Sequence, residues 1–337
     1  MRNMEIDYTQ IMSKEKREFL DILKEALTIP HKHINFIIFS LLTSFPYFGL
    51  SVFFEIVLQQ TLLKTFKFFT PVPSDSFYYD WESSVALHDD WHRSGGNLSG
   101  EWIKLCLLYL APYHLLGLLN IVMTVNAASM IYAGEKPISL RDILVQKTRL
   151  KGPFITSIYV LLLSTCILLG LVGVVTNCYI LSKGFVIDYY YYSSNNNFVD
   201  SLITIFHITI FIALLMKYSE WSAGWNMALV ISVLEETYGI EAFELATYFS
   251  RGSTRRGLLL MLVFVAWEIV FRLPCLFGRW SERLGAIVFT SVFTGLICVG
   301  NLMKWVVCVV YFFDCKKRIL EKKVDEEVGS DGKVVNV

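Results

Sequence analysis

Apolar residues along the chain gather into long charge-free runs separated by short polar stretches, and a helix that crosses a bilayer needs about 20 such residues. Phe36 to Phe54, Leu105 to Val125, Phe154 to Ser182 and Leu284 to Met303 contain no Asp, Glu, Lys or Arg. Beyond Lys304 the last run resumes through Phe313, as in a long or tilted helix. Two further runs are shorter. Ser201 to Met216 reaches a full span if Phe198 to Asp200 extend it outward and Lys217 snorkels inward. Gly257 to Phe271 contains Glu268 and is prolonged by Leu273 to Phe277. The pattern predicts an all-α, polytopic membrane helical bundle with six transmembrane helices, at about 34–58, 102–126, 153–182, 198–218, 257–277 and 284–313.

Between the runs the periodicity changes character. Phe19, Leu20, Ile22, Leu23, Ala26 and Leu27 fall at helical spacing before Pro30, which predicts an interfacial amphipathic helix over Ser13 to Ile29. Ser139, followed by Asp142 and then Ile143, Leu144 and Val145, signals a second short helix. Pro71 to Gly100 and Tyr189 to Asn197 are polar tracts with no clear period. Three regions follow: an N-terminal amphipathic segment at 1–33, the six-span domain at 34–313 and a charged tail at 314–337.

Composition strengthens the membrane reading. Hydrophobic residues make up 54% of the 337 and charged residues only 18%, against about 25% charge in a soluble domain. Thirty basic residues balance thirty acidic ones, so no overall basic field exists to gather nucleic acid. What matters is where the basic residues lie. Twenty-one Lys and Arg fall on one side of the six-span arrangement and seven on the other, which predicts cytosolic N and C termini. Met1 to Lys32 contains no apolar core of a signal peptide, so the first span is expected to act as the targeting signal.

Residues 225–246, WNMALVISVLEETYGIEAFELA, followed by Arg251 and Gly252, form the most distinctive stretch. Together with Tyr132, Ala133, Gly134, Ser139 and Leu140 it resembles a family of plant six-span integral membrane proteins, some of whose members are labelled as binders of a poly(A)-binding protein. That family carries a VSVLE stretch, a YG pair, an Ala-centred helix and a basic residue before Gly. The resemblance covers nearly the whole chain and implies an architecture without an assigned reaction. This chain departs from it at Ala133-Gly134-Glu135-Lys136, where the family has a YxGK-like turn, and in having Arg251 before Gly252. Read physically, Leu234 to Gly239 ends a helix and Ile240 to Phe249 begins another. Glu235, Glu236, Glu241 and Glu244 then belong to a wet helix face.

Candidate chemistry is sparse. Charge inside a membrane is the usual pointer to function, and it singles out Glu55, Lys104, Glu268 and Arg272. Glu55 and Lys104 lie at matching depth and can pair across two helices, while Glu268 and Arg272, four residues apart, can pair along one. His88 and His92 have a spacing that holds zinc on a helix, but no third ligand accompanies them. Asn97-Leu98-Ser99 is a glycosylation sequon, and Cys315 before Lys316, Lys317 and Arg318 suits palmitoylation. Ser291 and Gly295 form a small-residue pair for helix packing.

No P-loop, GxSxG or HExxH motif is present. The expectation is a non-enzymatic membrane organiser or adaptor of the endomembrane system (endoplasmic reticulum) or plasma membrane. It needs no cofactor, its partners are membrane lipids and proteins met through the cytosolic helices, and it binds no nucleic acid. Transport of a small solute or ion is the alternative.

Overall fold

The computed structural model describes residues 19–69, 100–134, 150–191, 197–235, 237–277 and 283–334. Those residues are helical with short turns, and no strand occurs among them. In chain order the helices are α1 (Phe19–Lys32), α2 (Ile34–Phe69), α3 (Gly100–Tyr132), α4 (Lys151–Tyr191), α5 (Asn197–Leu234), α6 (Ile240–Ser250), α7 (Thr254–Phe277) and α8 (Arg283–Val334).

Among the described residues, five stretches are long and apolar enough to cross a bilayer: Ile34–Thr65, Gly100–Tyr132, Lys151–Val174, Thr254–Cys275 and Gly285–Lys322. α5 is 38 residues long and contains the charge-free run Ser201 to Met216. The helices also overrun the expected boundaries. α8 continues for 52 residues through the charged tail, because Lys316 to Val334 contains no Pro to stop it. Pro30, expected to end α1, lies inside the helix. The proposed helix at Ser139 falls outside the described residues.

The chain divides into two compact units whose boundaries cut through helices. One comprises Met1–Phe36, Thr124–Val265 and Met303–Val337; the other comprises Ile37–Met123 and Ala266–Leu302. In the first, every side chain is buried from Trp305 to Phe312 of α8 and from Met227 to Ile231 of α5. α1 buries Ile22, Ala26 and Ile29, and α6 buries Ala242 and Ala246. α5 packs along α4 and then α6.

The Leu234 to Gly239 stretch is the joint of this unit. Gly239 has φ +64°, open to a residue without a Cβ, and its N–H donates to Thr156 Oγ1 of α4 at 2.9 Å. Glu235 accepts a 2.8 Å ion pair from Lys316 of α8. Glu241 and Glu244 are exposed. The distinctive motif of the sequence therefore fastens α5 to α4 and α8 while turning the chain into α6.

The second unit is built from parts of α2, α3, α7 and α8. Polar side chains on apolar helices hold it together. Ser44 donates to Asn120 at 2.7 Å, both buried, and Gln59 donates to Thr290 at 3.3 Å. Trp267 donates its indole N–H to the Leu296 carbonyl at 3.0 Å. Inside hydrocarbon such groups have no water to turn to, so cross-helix hydrogen bonds fix which helix faces meet.

Candidate functional site

The strongest concentration of polar chemistry lies in the second unit, where α2, α3 and α7 each contribute. α2 supplies Tyr47, Ser51 and Glu55, two four-residue steps along one helix face. α7 supplies Glu268 and Arg272 by the same spacing. α3 supplies Tyr109 and Tyr113 from a π-helical turn, Tyr109–Tyr113. Pro112 lies inside that turn and has no N–H to return to the Leu108 carbonyl, which is a physical reason for the ladder to widen there. The two phenol rings stack with centroids 5.5 Å apart.

Glu55 is 3% exposed. Arg272 reaches it from α7, and both Nε and Nη2 approach the same carboxylate oxygen, Oε1, at 2.9 Å. Oε2 is buried and accepts no hydrogen bond from a described residue. The guanidinium fork thus grips one oxygen instead of two, an arrangement that leaves an acceptor unsatisfied at a cost of about 1–3 kcal/mol. Glu268 and Tyr113 also lie within electrostatic reach of Arg272. Tyr113 shares a 3.0 Å hydroxyl contact with Tyr47 and stacks on Phe54. The group thus sets two carboxyl groups, Glu55 and Glu268, around one guanidinium.

Two expected pairings are corrected. Glu55 does not meet Lys104, whose ammonium is exposed and lies 3.9 Å from Glu101, three residues before it on α3. Arg272 does not close on Glu268 along α7 but crosses to Glu55. The reason is burial. Glu55 is the more completely desolvated carboxylate, so it gains most from a cation and would lose most without one.

The chain belongs to the DUF8558 family. The model of that domain of unknown function matches residues 12–331. No curated protein and no solved structure matches the chain. Family membership therefore assigns no reaction to this group of residues, and what the group does has to be argued from its own geometry.

The other candidates separate. Cys315 is 1% exposed and lies 3.2 Å from the Ser253 hydroxyl. That burial covers the thiol that acylation needs. His88, His92 and Asn97 lie outside the described residues. Among the described residues no three His, Cys, Asp or Glu side chains gather as a metal site. Ser291 bonds the Ile287 carbonyl of its own helix, and a Cβ on Gly295 would meet Phe48 only at ordinary contact distance, 3.6 Å.

Sequence reasoning missed three features. Tyr47, Tyr109 and Tyr113 resemble any aromatic residues of a span; the signal that separates the last two is their four-residue spacing around Pro112. Asp314 follows the apolar run directly, yet is buried at 6% and accepts Arg256 at 3.5 Å and Arg318 at 3.0 Å. Gly300 allows the Trp267 indole to lie against α8: a Cβ there would overlap its Cδ1 and Nε1.

Proposed function

We propose that the chain is a six-span membrane protein with both termini in the cytosol, acting as a non-enzymatic membrane organiser or adaptor of the endomembrane system, for example the endoplasmic reticulum, or of the plasma membrane. The observation that carries this reading is that buried charges within the units are capped by one another: Glu55 by Arg272, and Asp314 by Arg256 and Arg318. Charges satisfied this way hold helices together, and they leave the long α8 extension and α1 as surfaces for partners. α5 completes the six spans at 38 residues, with Lys217 and Glu220 closing on each other at 2.7 Å. An ion pair of that kind lowers the cost of charge near a membrane boundary. On α1, Leu20 and Leu27 are exposed opposite the buried Ile22, Ala26 and Ile29, which favours a helix lying in the interface. The resemblance to plant six-span proteins favours the same architecture, and lipids and proteins are its partners on this reading.

Topology tests the arrangement directly. Glycosylation acceptors inserted in 70–99 are expected to be modified in microsomes, whereas acceptors in 135–149 or at Ser330 are not. Modification at 135–149 overturns the six-span reading, because that segment lies between two of the five apolar helices.

Transport of a proton or small cation is the second reading, favoured by Glu55 Oε2, which has no partner among the described residues, and by the second carboxyl group, Glu268, near the same guanidinium. Glu268→Gln decides between the two. The organiser reading expects a folded variant whose behaviour in reconstituted vesicles equals the parent's. A folded variant that abolishes a proton or cation flux carried by the parent establishes transport instead.

A further inference from the structure

We propose that α2 and α8 hold one ordered water molecule between Glu55 and Thr294. The register of the two helices brings those residues to one level. Gln59 of α2 donates to the Thr290 hydroxyl of α8 at 3.3 Å. Eight residues back along α2, the Ser51 hydroxyl is within hydrogen-bonding reach of the Cys298 thiol, eight residues forward along α8. Steps back along one helix match steps forward along the other, as antiparallel packing requires. The turn between these two contacts carries Glu55 on α2 and Thr294 on α8. Residues four apart share a helix face, so the faces that meet at the flanking turns also meet at this one.

Here the partners run out. Glu55 is 3% and Thr294 2% exposed, and neither Glu55 Oε2 nor Thr294 Oγ1 has a hydrogen-bond partner among the described residues. Thr61 and Thr65 on α2 and Ser291 on α8 instead return their hydroxyls to the carbonyl four residues back. An acceptor and a hydroxyl that share one level of an interface, yet do not bond each other, call for a molecule that bridges them. Water donates to Oε2 and exchanges a hydrogen bond with the Thr294 hydroxyl. Two such bonds are within the range that buried waters make, and they remove the cost of an orphaned carboxylate oxygen.

Other occupants fit less well. The Arg272 guanidinium holds Oε1 at 2.9 Å, so it repels a metal cation placed at Oε2 of the same carboxylate. A lipid headgroup is too large to reach atoms that both lie inside the helix interface. The inference rests on the packing of α2 against α8 and holds whether the chain organises membranes or transports.

The test uses the full-length protein in mild detergent. With threonine methyl groups isotopically labelled, magnetisation transfer from water is expected at the Thr294 methyl, identified by its loss in Thr294→Ser. It is not expected at Thr61, which is 1% exposed but has its hydroxyl bonded to the Val57 carbonyl. Absence of transfer at Thr294 overturns the proposal, and this readout needs no variant to be stable beyond the one that assigns the signal. Melting temperature adds a sign. Thr294→Val keeps the shape and removes the hydroxyl; it is expected to lower the melting temperature by about 2–4 °C, as loss of one hydrogen bond does in a large domain. In a Glu55→Leu/Arg272→Leu background it is expected to cause no loss. Removing a hydroxyl that bonds nothing stabilises instead, so a Thr294→Val variant as stable as the parent, or more so, overturns the proposal. Exchanging sodium for choline chloride at equal ionic strength is expected to change nothing. A sodium-specific rise in melting temperature that Thr294→Val abolishes replaces the water by a cation and overturns the proposal as well.

Discussion

Arg272→Leu is expected to be the most damaging single substitution in the second unit, lowering stability by about 3–5 kcal/mol, the loss typical of removing one partner from a buried pair. The change strands Glu55, which is 3% exposed and pairs with no other cation among the described residues. Glu55→Leu is expected to cost less, for two reasons. The Arg272 side chain is 38% exposed, so its charge is less desolvated, and Glu268 stands four residues away on α7 to take it over. The double substitution Glu55→Leu/Arg272→Leu removes both charges and is expected to recover most of the loss, since apolar replacement of an entire buried pair is often neutral. Thermal melting in detergent, with the monodisperse fraction as a second readout, checks the order. A double variant no more stable than Arg272→Leu would show that the pair contributes more than mutual neutralisation.

The second large effect is expected at Gly300. Replacing it with Ala puts a methyl group where the Trp267 indole lies, so either the ring swings away or α7 and α8 separate. Both outcomes break the 3.0 Å bond from Trp267 Nε1 to the Leu296 carbonyl. Overpacking of this kind costs about 1–3 kcal/mol, and the lost hydrogen bond adds about 1 kcal/mol. Gly295→Ala is expected to stay within about 0.5 kcal/mol of the parent, because only Phe48 stands near and at ordinary distance. In a Trp267→Ala background Gly300→Ala should be nearly free, since its clash partner is gone. Melting temperatures of Gly295→Ala, Gly300→Ala, Trp267→Ala and the Trp267→Ala/Gly300→Ala double check this, and equal losses at Gly295 and Gly300 would refute the close-approach argument.

The two glycines mark a limit of sequence reading. Gly295, four residues after Ser291, fits a recognisable packing pattern, while Gly300 fits none. A motif describes one helix, whereas a close approach needs a second helix with a large side chain at the right height. The aromatic cluster behaves alike: the proline that widens the α3 turn is visible in the sequence, but Tyr47 joins Tyr113 only because α2 lies beside α3.

Charge-free runs such as Phe36 to Phe54 determined by themselves that the chain is helical and suited to a bilayer, because without water each backbone group must be satisfied within its own helix. Local rules also located Gly239 at a turn. The partners of the charges were decided only by tertiary structure. Sequence spacing favours Glu268 for Arg272, yet Arg272 crosses to Glu55 of another helix. Spacing reports distance along one helix, while the strength of an ion pair depends on how far each group is removed from water. That is set by helix rotation and by neighbours hundreds of residues away in the chain, 217 residues in the case of Glu55 and Arg272.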